Sequence, residues 1–68
     1  MITEIGIVAG EIWHFLDQKE EVALEDLIKA IDRPRDNLLM SLGWLAREGH
    51  VILQQINNGY RVSLRKSG

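Results

Sequence analysis

The side chains to weigh first for chemistry are His14 and His50, the ten carboxylates, and Ser41 and Ser63. They form no reactive set. The two histidines have neither the H-E-x-x-H nor the E-x-x-H spacing that places metal ligands on one helix face. The chain has no cysteine, so thiolate zinc sites, disulfides and cysteine nucleophiles are all absent. Neither serine lies in a G-x-S-x-G turn, and Gly6 and Gly10 do not follow a strand as a phosphate loop requires. Glu20–Glu21 and Glu25–Asp26 read as solvated faces. The expectation is a protein that is not an enzyme and uses no metal or cofactor.

Charge is more informative. Net charge is −2, but its halves differ. Up to Asp32, Glu4, Glu11, Asp17, Glu20, Glu21, Glu25, Asp26 and Asp32 stand against Lys19 and Lys29. From Arg33 onward, Arg33, Arg35, Arg47, Arg61, Arg65 and Lys66 stand against Asp36 and Glu48. A basic half of this kind either marks a nucleic-acid face or is neutralised by the acidic half within the fold.

With 68 residues the chain is expected to form one domain over residues 1–68. A chain this short buries only about 60% of the surface it exposes when unfolded, so a partner subunit is a natural source of extra stability. No apolar run approaches the roughly 20 residues that span a bilayer. The start, MITEIGIVAGEIW, lacks a basic segment and carries Glu4 and Glu11, unlike a signal peptide. A cytoplasmic location, away from membranes, is expected.

The elements that must position these charges follow from periodicity. Ile5, Val8, Ala9, Ile12 and Leu16 recur at helical spacing, predicting a helix from about Thr3 to Asp17. Gly6 and Gly10 lie one turn apart on it, with Trp13 along the same edge, although a glycine inside a helix costs about 0.5–1 kcal/mol relative to alanine. Either a backbone of the same chain packs there or a helix of a second subunit does. Val22 is a candidate for a very short strand. Leu24, Leu27, Ile28 and Ile31 predict a second helix over about 24–31, with Glu25 and Asp26 at its positive end. Pro34 fits the first turn of a third helix over about 34–48, with Asp32 as a candidate N-cap and Gly49 at its end. HVILQQI and YRVSL then read as strands of a hairpin over about 50–65, joined by Asn57, Asn58 and Gly59. Alternation places Tyr60, Val62 and Leu64 on a buried face and Arg61, Ser63 and Arg65 on a basic one.

This order, with LEDLIKAI, a turn at Asp32–Pro34, and LLMSLGWLAREGHV leading into a hairpin, resembles the winged helix-turn-helix fold, an α+β architecture of three helices and a two-stranded wing. The pattern Leu-x-x-Leu-x-x-x-Gly-x-Val from Leu42 to Val51 carries much of the likeness. More narrowly, GIVAGEIWHFL with LGWLAREG resembles a family of small stand-alone prokaryotic winged-helix proteins of unknown function. The resemblance implies DNA binding, with the third helix in the major groove and the wing on the backbone. On that reading Arg33, Arg35, Asn37, Arg47, Arg61, Arg65 and Lys66 make the nucleic-acid contacts, in a regulatory protein that works as a dimer.

The third helix departs from that pattern. With Leu38, Leu42 and Leu45 facing the core and Leu39 and Ala46 flanking them, its other side holds Asp36, Asn37, Met40, Gly43, Trp44 and Arg47. Only Asn37 and Arg47 there can read a base edge. Met40 and Trp44 form an apolar ridge at i and i+4. Either Trp44 folds under the wing or against the first helix, or Gly6, Gly10, Trp13, Met40, Gly43 and Trp44 form a surface for a second copy or another protein. The second functional reading is therefore an interaction or homodimerisation module that does not read DNA sequence.

Overall fold

The computed structural model describes residues 2–65 and orders them as α1 (Ile2–Asp17), β1 (Val22–Ala23), α2 (Leu24–Ala30), α3 (Arg35–Arg47), β2 (Val51–Ile56) and β3 (Gly59–Leu64). Three helices and a three-stranded antiparallel sheet of order β1-β3-β2 form the expected winged-helix architecture. The short strand expected at Val22 pairs with β3, Val22 facing Val62 and Ala23 facing Arg61.

The apolar stripe of α1 buries Val8, Ala9, Ile12 and Leu16 against Leu27 of α2, Leu38, Leu42 and Leu45 of α3, and Val51 and Val62 of the hairpin. Ser41 is buried between α1 and α3, and its hydroxyl donates to the Ile5 carbonyl at 3.3 Å. That bond removes the penalty an unpaired buried hydroxyl would carry.

Both ends of α3 are set by local chemistry. Pro34, expected inside the first turn, is instead the N-cap: its ψ of 143° keeps it extended while its carbonyl accepts from the Leu38 N–H at 3.1 Å. Asp32 consequently lies two residues too early to cap, and no side chain does so. At the other end Gly49 N–H donates to Ala46 and His50 N–H to Leu45, at 3.0 and 2.9 Å. This paired closure needs a left-handed residue, and Gly49 supplies it with φ of 82°.

The hairpin has a two-residue loop, Asn57–Asn58. Gly59 already belongs to β3, opposite Ile56, and takes φ of 149°. Burial along β3 is not uniform. Val62 is fully buried and Leu64 partly so, but Tyr60 is 43% exposed. The expected buried position of Tyr60 is corrected because at that end of β3 an open depression lined by Leu24 and Leu39 separates it from the helices.

Candidate functional site

Three basic side chains of the chain's second half, Arg33, Arg35 and Arg61, pair with acids of its first half. The Arg33 guanidinium grips Glu11 of α1 through two bonds, Nε to Oε1 at 2.8 Å and Nη2 to Oε2 at 2.6 Å. Arg35, the first residue of α3, reaches Glu25 of α2 in the same two-pronged way at 3.3 and 3.2 Å. Asn37 donates from Nδ2 to Glu4 at 3.1 Å, and Arg61 Nε meets Glu21 at 2.8 Å. Hydrogen bonding to the guanidinium holds the Glu11 and Glu25 carboxyls below their usual range, and the same bonds raise Arg33 and Arg35. These contacts tie α3 and the wing to α1, α2 and the segment before β1.

Exposed ion pairs add little stability, since water and salt screen them. Their effect on a nucleic-acid partner is larger. Each pair has no net charge, and a phosphate that displaced the carboxylate would still sit beside it. Arg47 and Arg65 are exposed and have no carboxylate partner among the described residues. Lys66 lies outside the described residues. Of the expected base readers on α3, Asn37 is engaged by Glu4, which leaves Arg47.

Apart from the exposed Asp36, the rest of the outer face of α3 is apolar. Leu39, Met40 and Trp44 are 38%, 54% and 46% exposed. Trp44 is neither folded under the wing nor closed against α1. It stands with Trp13, 39% exposed, over a depression of about 320 Å³ that includes Gly6, Gly10, Leu45 and His50. Among the described residues, a Cβ added at Gly6 or Gly10 would meet no heavy atom within 4 Å beyond its own stretch of helix. The alternative in which a backbone of this chain packs on these glycines is thereby corrected, since the notch opens outwards. Trp13 is fixed edge-on against His14, ring centres 5.7 Å apart.

The structure therefore brings Gly6, Gly10, Trp13 and Trp44 together. Met40 lies beside them, over a smaller cleft with Glu4, Ile5, Asn37 and Ser41. Gly43 belongs elsewhere: it opens on the wing side of α3, in a depression of about 280 Å³ with Leu39, Leu53 and Tyr60. Sequence reasoning missed this wing-side surface. Leu39 reads as a core flank on a helical wheel, and Tyr60 alternates with buried Val62. Only the proximity of Tyr60 to the Asn57–Asn58 loop signals that the helices do not close over it.

Among the described residues no group of three or more His, Cys, Asp or Glu side chains is placed to hold a metal ion. No described helix is long and apolar enough to cross a membrane.

No curated protein matches this sequence. A solved structure does: the solution NMR structure of protein BT2368 from Bacteroides thetaiotaomicron has a TM-score of 0.79 at 24% identity, over 91% of this chain and 76% of that one. At that identity the likeness is one of fold. Winged helices are typically non-enzymatic modules, and the fold supports a nucleic-acid-binding or regulatory role in general terms. A family model described as "Winged helix-turn-helix domain (DUF2582)" matches residues 1–64, and the chain belongs to that family.

Proposed function

We propose that this protein is a regulatory winged-helix module that docks another protein through the outer face of α1 and α3 and does not read DNA sequence. The observation that carries this reading is the exposure of Trp44 beside Trp13 over the open Gly6–Gly10 notch, on a helix whose first basic and amide side chains are held by carboxylates. Tryptophan in a concave apolar setting is a favoured anchor for a partner protein. Around it, Gly6, Ala9, Gly10 and Leu45 offer no side-chain hydrogen bond to a base edge, which leaves only His50 and the indole N–H groups.

A second reading, sequence-independent binding to a nucleic-acid backbone, is favoured by the exposed Arg47 and Arg65. Titration of random duplex against salt separates the two. If all six bases of the second half contact phosphates, the log–log slope is about −5; if only Arg47, Arg65 and Lys66 do so, it is about −2 to −3. Protein docking predicts a shallow slope or no binding, with no preference among duplex sequences. A slope of about −2 or steeper would overturn it in favour of backbone binding, and any discrimination among duplex sequences would overturn it too.

A further inference from the structure

β2 is an edge strand, and its register defines what its free edge presents. The Arg65 N–H donates to the His50 carbonyl at 2.9 Å, and these two residues continue the pairing of β2 with β3. His50 is therefore a hydrogen-bonded position of the ladder. Alternation in an antiparallel pair makes Ile52, Gln54 and Ile56 the next residues whose main-chain groups face β3. Val51, Leu53 and Gln55 turn their N–H and C=O groups the other way. On that side no strand lies beside β2 among the described residues.

Natural edges are usually protected by shortness, charge, proline or a bulge. β2 has none of these. It is six residues of VILQQI, paired one-to-one with β3 and without a charged side chain. It also carries Ile52, 49% exposed, on one face of the sheet and Leu53, 42% exposed, on the other. The opposite side of β3 is occupied by β1.

We infer that β2 pairs antiparallel with β2 of a second copy of this chain, about a two-fold axis at Leu53. The outward positions 51, 53 and 55 are centred on Leu53, so the strand is its own complement. Leu53 pairs with Leu53 of the second copy, and Val51 with Gln55 in both directions. The three pairs form about six interchain N–H···O bonds, two for each pair. Leu53 packs against its symmetry mate on one face, and Ile52 meets Gln54 of the second copy on the other. No like charges face each other across the axis, because the strand has none. The symmetry closes after two copies and joins the two sheets into one of six strands. This pairing is independent of the tryptophan face.

Amide hydrogen exchange followed by NMR, with sedimentation at the same concentrations, tests the inference. The Ile52 and Gln54 amides are protected at every concentration by the β3 ladder. The Leu53 and Gln55 amides should become protected only as the concentration rises and the dimer fills. Gln55→Pro removes an outward N–H from each copy and no bond to β3, and should weaken the dimer about thirtyfold. Should that variant not fold, Leu53→Lys sets two like charges directly opposite each other and should abolish pairing. A chain that stays monomeric at millimolar concentration overturns the inference. So does a dimer in which Leu53 and Gln55 exchange as fast as in the monomer.

Discussion

Gly6 and Gly10 allow a test in which stability and binding move in opposite directions. Both lie inside the sixteen-residue helix α1, and among the described residues a Cβ at either would meet nothing within 4 Å beyond its own stretch of helix. Neither has a backbone conformation that disfavours alanine. Alanine should therefore recover the helix propensity that glycine forfeits, about 0.5–1 kcal/mol at each site. The two sites share no packing partner that alanine would disturb, so Gly6→Ala with Gly10→Ala should stabilise the isolated chain by about 1–2 kcal/mol. For a domain of this size each kcal/mol raises Tm by about 4–8 °C. Dilute protein followed by circular dichroism, with urea midpoints at unchanged m, measures the gain. If the notch receives a partner's backbone, the same methyl groups occupy the contact and binding through this face should weaken. A Tm that stays the same or falls in dilute protein would refute the reasoning, because something in the chain itself would then fill the notch.

Two further substitutions probe the same architecture. Glu11 is held below its ordinary pKa of 4.5 by Arg33, so its contribution to stability is full above that value and is lost as pH falls through the lower folded value. Arg33→Ala should return the Glu11 carboxyl towards 4.5, read directly by NMR titration, and should flatten the acid side of the stability curve. Met40→Glu with Trp44→Glu replaces side chains that are 54% and 46% exposed. Each keeps about half its surface against the rest of the chain, so the pair of changes should cost about 1–3 kcal/mol, less than the roughly 3–5 kcal/mol typical of truncating one fully buried tryptophan. A larger loss in urea unfolding would place Trp44 in the core instead of on a docking surface.

The helices and hairpin were legible because each core element carries its own period. Val8, Ile12 and Leu16 repeat every four residues, and Gly49 and Gly59 punctuate where a positive φ is required. The end of α3 was legible for the same reason, since its closure uses only neighbouring backbone groups. Its start was not: whether Asp32 or Pro34 caps depends on the path of the turn, which tertiary contacts fix. The charge asymmetry was visible, but not which of the basic residues pair across it. Pairing Arg33 with Glu11, or Arg61 with Glu21, needs residues far apart in sequence to meet, and composition does not encode that. The wing-side surface escaped notice because alternation along β3 says which face Tyr60 is on and nothing about whether helices extend beneath it.

The two apolar surfaces flanking α3 differ in what can cover them. The wing-side surface ends at Leu53, whose main-chain groups point out of the sheet, so a strand laid on that edge brings its own apolar side chains against it. Only an extended segment does this, and β2 of a second copy is one whose outward groups match by symmetry. The surface of Trp13 and Trp44 has no open strand edge and offers a notch where two glycines lower the helix surface. Close approach of a helix suits it better than a strand. Self-association through both surfaces would close into a dihedral assembly only where the two two-fold axes intersect at a suitable angle, and would otherwise give an open chain of molecules. A discrete dimer built on β2 thus leaves both copies of the tryptophan notch for a different protein. On this reading the dimer is bivalent, with α3 still the recognition helix but now directed at a partner protein.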